Sequence, residues 1–377
     1  MKKRILAMSL ALTLLFALAG GEVYAKCDDA SCGCVYEDVT GIPGNETAVT
    51  VDGNEIPSQL YLYWAAFNCS AMEYQIRMYH EQYGLYEDLI GGNFEINWDG
   101  KFSTGRTLNE YVDAKTDETV RFYATIENLA AKHGVELSAE AQAAIDSERD
   151  SMIAQLGGAD KYQAYLREIG LSEENFRRIN RLSGLLDGLC LLADDEGSKL
   201  FLKEEDYDRY IYCADRILLS TVDLATDKPL SEEEAAEKKA LAEELLAQLK
   251  GAGDKEALFK ELADQYSEDE GRGENPDGWL FTPGSVAQSF ETAVEALKIG
   301  EISGILESDY GYYIVLRKDP RPLLREDSFA KAEMNQAYMA ELINELAAKA
   351  DTDYSKKLKN FDFGKFYNAY LQSVMGQ

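Results

Sequence analysis

Histidine is nearly missing from this 377-residue chain: the only two are His80 and His133, and both read as ordinary helix-surface or helix-end residues. Positive charge is also short, with 38 Lys and Arg against 68 Asp and Glu, so the formal net charge is -30 and the pI about 4.4. Such a surplus repels polyanions and excludes nucleic acid and acidic membrane surfaces as expected partners. The acidic residues of stretches such as Glu232 to Glu244 read as solvated helix faces. Long apolar runs are confined to Ile5 to Ala19, which is shorter than the roughly 20 residues that a membrane span needs. Preceded by Met1-Lys2-Lys3-Arg4 and followed by Val23-Tyr24-Ala25, that run fits a cleaved export signal over residues 1–25, with the mature chain starting at Lys26. Leu18-Ala19-Gly20 has the form of a lipid-attachment box, but Gly21 stands where the acylated cysteine must be, which argues against a lipid anchor. Six cysteines remain, and export would permit disulfides, yet spacing selects none of the pairings that six cysteines allow. Cys27, Cys32 and Cys34 lack a second ligand pair at zinc spacing, so residues 26–45 are expected to be a flexible cysteine-containing segment, open to disulfide bonding, without metal. No cofactor is expected either.

The stretch from Tyr212 to Lys318 carries the most pattern. Cys213-Ala214-Asp215-Arg216-Ile217-Leu218-Leu219 is a branched apolar run bounded by polar residues, which suits a strand covered by helices. Ser231 followed by Glu234 is a capping box, and Leu241, Leu245 and Leu249 then recur at helical spacing. A second helix carries Phe259, Leu262, Ala263 and Tyr266 and runs into Ser267-Glu268-Asp269. A glycine-rich loop ends in Asp277-Gly278-Trp279-Leu280-Phe281-Thr282-Pro283-Gly284, where glycine permits a tight path over a pocket. Val286, Phe290, Val294 and Leu297 predict a third helix, and Gly300-Glu301-Ile302-Ser303 leads to a last strand over Tyr312 to Leu316. The order of strand, helices, loop, helix, strand, turn and strand predicts an α+β unit, a small and mostly antiparallel sheet surrounded by helices.

In this order these residues resemble a parvulin-type (PpiC-type) peptidyl-prolyl isomerase domain. Ser267-Glu268-Asp269 is similar to the family's Tyr-Ser-x-Asp turn, Gly300-Glu301-Ile302-Ser303 to its Gly-Glu-x-Ser signature, and Asp309 to Leu316 to its final strand. Arg216 and Tyr313 stand where the family carries two histidines. The resemblance implies that Val286 and Phe290 hold a proline ring above Trp279 and Phe281. It places Asp269 near the substrate carbonyl and Ser308 in a supporting polar network, so that Asp269, Arg216, Tyr313 and Ser308 form the polar centre. The reaction would need no proton transfer, because a prolyl bond flips over a barrier of about 18–20 kcal/mol set by amide resonance. Alternation puts Tyr313 and Val315 on one strand face, and Arg216 and Leu218 on one face of theirs. We therefore expect a charge-assisted Arg216–Asp269 pair with the Tyr313 hydroxyl beside it. Arg keeps its proton, and an unperturbed Tyr loses its own only near pH ~10, so this pair cannot titrate as two imidazoles would.

Outside that stretch, Ala48 to Ile56 reads as strand, turn and return, similar to the opening of PrsA-type and SurA-type foldases, followed by a helix with Leu60, Trp64 and Phe67. Thr107 and Glu110 form another capping box, Gly134 is a helix stop, and further helices are predicted over residues 138–156 and 172–192. These readings predict a mostly helical, chaperone-like domain over residues 46–208 and a parvulin-like domain inserted over 209–320. A C-terminal segment, 321–377, would pack back on the helical domain through Phe361, Phe363, Phe366 and Tyr367. The alternative for those aromatics is a homodimer interface. By resemblance, the partners are unfolded, proline-containing polypeptides met outside the cytoplasm. A holdase that binds peptide without isomerising it, or a structural envelope protein, are the competing functions.

Overall fold

The computed structural model describes residues 34–226 and 228–375; the expected export signal, Cys27 and Cys32 lie outside the described residues. Chain contacts divide the described residues into two compact units. One runs up to Leu189 and resumes at Glu341, and the other is Cys190–Ala340.

The first unit is mostly helical. After α1 (Cys34–Thr40), β1 (Thr47–Val51) and β2 (Asn54–Pro57) form a hairpin through Asp52 and Gly53. Both turn residues sit at positive φ, +48° and +85°, as a two-residue hairpin favours. Then come α2 (Ser58–Tyr83), α3 (Leu108–His133), α4 (Ala139–Leu156), α5 (Ala159–Glu168) and α6 (Glu173–Leu191). His80 and His133 occupy the last turns of α2 and α3. The strand Thr352–Tyr354 pairs with the free edge of β1, and the helix Phe363–Met375 supplies Phe363, Phe366, Tyr367 and Tyr370 to a core shared with Tyr36, Leu62, Ile76 and Leu108. Phe363, Phe366 and Tyr367 are thus buried within their own unit, which removes them as a dimer surface. Gly170 shows how tightly this core closes: a Cβ there would stand 2.1 Å from the Tyr36 ring, whose hydroxyl donates to the Ile169 carbonyl at 2.8 Å.

The capping box at α3 forms as expected. The Thr107 hydroxyl accepts from the Glu110 N–H at 3.1 Å, and Glu110 accepts from the Thr107 N–H at 2.8 Å. Thr107→Ala is expected to cost about 1 kcal/mol, because the Glu110 N–H loses the hydroxyl it donates to. Urea unfolding of the variant measures it, and an unchanged midpoint would show that water replaces the cap at no cost.

The second unit begins with β3 (Tyr212–Ser220) and a short hairpin of β4 (Val222–Asp223) and β5 (Lys228–Pro229). It continues through α7 (Glu232–Gly251), α8 (Lys255–Tyr266), α9 (Glu270–Glu274), β6 (Trp279–Phe281), α10 (Gln288–Ala296), β7 (Leu306–Ser308) and β8 (Gly311–Lys318). α11 (Arg321–Leu324) and α12 (Ser328–Lys349) follow. The sheet order is β6-β3-β8-β7, antiparallel throughout. One face presents Ile217, Leu219, Ile314 and Leu316 to Leu245 and Leu249 of α7 and Phe259 and Leu262 of α8. Pairings Arg216↔Val315 and Leu218↔Tyr313 put Arg216 and Tyr313 together on the other face. The expected α+β architecture stands: one unit is mostly helical, and the other is a small antiparallel sheet wrapped by helices.

One expectation needs correction. The glycine-rich loop is not irregular throughout: α9 forms within it, and Trp279–Phe281 pairs with Tyr212–Ala214 as an edge strand. By chain contacts the two units divide at 189/190 and 340/341. Ala193, Leu202, Tyr210 and Ile211 bury themselves against Leu324, Ala330 and Met334, so the first turns of α12 belong to the inserted unit.

Candidate functional site

Strand period and turn geometry build the site together. On the face of β3 opposite α7 and α8, Tyr212, Ala214 and Val315 form a small apolar cluster with Phe281 and Val294, and Trp279, Val286, Phe290 and Tyr313 pack around it. Phe290 lies 5.7 Å from Phe281, 6.4 Å from Trp279 and 6.5 Å from Tyr313, centroid to centroid. All four residues expected to hold a proline ring therefore converge, and Trp279, Val286 and Phe290 stay only half-buried. Half-exposed rings beside a buried floor leave an apolar surface that a flat ring can cover.

At the edge of these rings lies the polar centre. The side chains of Arg216 and Asp269 are largely buried and joined in a bidentate ion pair, Nε to one carboxylate oxygen and Nη2 to the other at 3.1 Å. The Gly271 N–H also donates to Asp269, at 2.9 Å. Beneath the pair, the guanidinium carbon sits 4.7 Å from the centre of the Trp279 ring, a cation–π contact that fixes its plane. Tyr313 feels this pair. Its hydroxyl is held protonated above the usual range, first by burial and then by the Asp269 carboxylate, with Arg216 opposing. It makes no hydrogen bond to any described residue, so its expected donation to the pair is not realised.

Ser308 is corrected. It shares the sheet face of Leu306 and Tyr313, but its hydroxyl donates to the Gly311 carbonyl at 3.2 Å and accepts from the Tyr310 N–H at 3.1 Å. The hydroxyl is spent closing the β7–β8 turn, not on the polar centre.

What sequence reading missed is how the Asp269 turn is held. The Ser267 hydroxyl accepts from the Leu218 N–H at 3.1 Å, and the Glu268 N–H donates to the Leu218 carbonyl at 2.8 Å, so the turn lies along β3 almost as another strand. Three residues past Asp269, Arg272 reaches back to Asp215, Nε to carboxylate at 3.0 Å, with both side chains buried. The neighbours Asp215 and Arg216 thus pair crosswise with Arg272 and Asp269. An aspartate inside an apolar strand run and a lone arginine between glycines were the available signals.

Elsewhere, an open recess of about 840 Å³ in the helical unit is lined by Arg177, Arg178 and Arg181, but Arg178 already pairs with Glu127 and Arg177 with Asp146. Cys213, behind the site on β3, is buried, and burial pushes its thiol up to about 12, so it is not a nucleophile at neutral pH.

Residues 199–321 match the PPIC-type PPIase domain family. Foldase protein PrsA of Staphylococcus aureus (strain bovine RF122 / ET3-1) is 27% identical over 227 residues, 56% of this chain and 66% of that protein. The Newman strain's PrsA matches to the same extent. The chain therefore spans 66% of the length of these curated relatives. A peptidylprolyl isomerase (PrsA) from Bacillus anthracis, solved by crystallography, is 21% identical and is covered over 94% of its chain and 62% of this one, with a TM-score of 0.27.

Proposed function

We propose, from a chain that carries a PPIC-type PPIase domain and is similar to PrsA foldases, that this protein is an exported folding factor. Its inserted unit isomerises X-Pro bonds in unfolded clients. The observation that carries the reading is the convergence of Trp279, Phe281, Val286 and Phe290 beside one clamped cation, Arg216. A proline ring seated on the aromatic surface leaves its amide at the polar edge. There the twisted form, which has lost resonance, is favoured over either planar form. No cofactor or metal enters this chemistry.

The remaining expectations belong to the same proposal. Residues 1–25 direct export and are removed, and the helical unit holds client segments. No described helix is long and apolar enough to cross a membrane. A second reading, a holdase whose inserted unit only binds peptide, is favoured by one feature: Arg216 and Asp269 are engaged with each other in a bidentate ion pair.

Acceleration of a proline-limited refolding reaction by the mature protein, measured beside suppression of client aggregation, separates the two. Acceleration is expected. A spontaneous refolding rate together with suppressed aggregation would establish the holdase.

A further inference from the structure

Resting on the isomerase reading, we infer that Arg216 is the catalytic donor of this site, its Nη1 giving an N–H to the prolyl nitrogen as the amide twists, while Asp269 and Trp279 are positioning residues. In the planar amide the nitrogen lone pair is delocalised and accepts nothing; in the twisted amide it is localised and accepts a hydrogen bond. A donor placed there stabilises the transition state more than the ground state, which is the condition for raising the rate. The C–N bond rotates without breaking, and no proton leaves the guanidinium.

The geometry narrows the choice of donor. Asp269 is an acceptor, and three N–H groups already converge on its two oxygens, so it has little capacity left for a substrate. The Ser308 hydroxyl is closed into its turn. Arg216 spends Nε and Nη2 on Asp269, and among the described residues nothing bonds its Nη1. Its plane is set by Trp279, itself 6.4 Å from the Phe290 ring, so the unspent nitrogen belongs to a guanidinium at the rim of the aromatic surface. Gly271 lets the clamp close: a Cβ there would stand 3.2 Å from Nη2 and 3.3 Å from the Asp269 carboxylate. Pairing also cancels the charge of Arg216 on the carboxylate side, so the cation can border an apolar surface without a free counterion.

A consequence follows for pH. The charged or titratable groups facing Arg216 are Asp269 from the turn and Tyr313 on β8, while its strand neighbour Asp215 turns to the other face and pairs with Arg272 of α9. Both histidines of the chain lie outside residues 190–340. Burial holds the proton on Tyr313, and no imidazole stands among these groups, so the rate is expected to follow no titration between about pH 6 and 9.

The test is the pH profile of kcat/KM for an X-Pro peptide with the mature protein, its Arg216→Lys variant and its Arg216→His variant. The wild-type profile is expected to be flat to within about twofold from pH 6 to 9. Arg216→Lys should lose about 10²-fold, since an ammonium cannot hold the bidentate clamp and donate from a fixed plane. Arg216→His should acquire a step in the imidazole range. An active wild type whose Lys variant keeps its rate, or whose own profile steps within that window, overturns the donor role alone. A wild type with no activity at any pH overturns the isomerase reading and the donor role with it. Near-UV circular dichroism reports whether each variant is folded. If Arg216→Lys is not, Arg216→Met/Asp269→Leu removes both charges together, and a wild-type rate in that protein would equally overturn the assignment.

Discussion

In the Phe290→Ala protein, acceleration of a proline-limited refolding reaction falls to the spontaneous rate. Phe290 is the residue that ties the apolar surface together, touching Trp279, Phe281 and Tyr313 from the first turn of α10. Removing its ring takes away the wall against which a prolyl ring is held, and a bound amide displaced by about 1 Å from its productive position costs on the order of 10²-fold in rate. The fold should survive. Phe290 is only half-buried, so the loss of stability stays below the roughly 3–5 kcal/mol of a fully buried Phe→Ala. Asp269→Ala should reduce the rate without abolishing it, by releasing the Arg216 clamp and leaving the ring surface intact. Refolding traces with each variant at equal concentration decide it, and an unchanged rate in Phe290→Ala would mean that proline is bound elsewhere.

The largest stability change is expected from Arg272→Met. Asp215 is 3% exposed and Arg272 8%, so removing the arginine strands a carboxylate in the interior. Breaking a buried pair on one side typically costs about 3–5 kcal/mol, whereas replacing both members with apolar groups is often neutral. Arg272→Met alone should therefore unfold the inserted unit at markedly lower urea, and Arg272→Met/Asp215→Leu should recover most of the loss. Trp279 reports on this unit, because the other two tryptophans, Trp64 and Trp98, lie in the helical one. Equal destabilisation in the single and double variants would show that the arginine acts through packing, not charge. The single variant should also slow the isomerase, since Arg272 anchors the turn from which Asp269 reaches Arg216.

How much of the site was readable depends on the range of the interaction. Two-residue alternation put Arg216 and Tyr313 on definite strand faces, and the register Leu218↔Tyr313 brought those faces together. The pairing of Arg216 with Asp269 was expected from charge and family resemblance, and it forms across 53 residues. Asp215 with Arg272 spans 57 residues, and no local period hints at it. Ser308 was misassigned for a related reason: a hydroxyl at a strand end has both a turn and a neighbouring site to choose from, and only the register shows which it takes.

By itself the sequence determined where the capped helices start, because caps such as Ser231 with Glu234 and Thr107 with Glu110 act within one turn, and the strand faces, because side-chain direction alternates residue by residue. It also determined that residues 190–340 hold no histidine. Only the tertiary structure decided that Thr352–Tyr354 closes the first sheet, that α12 divides its allegiance at Ala340, and that Asp215 and Arg272 lock the turn behind Arg216. Each of those depends on which distant surfaces exclude water together, and burial of that kind becomes definite only when the whole chain has packed.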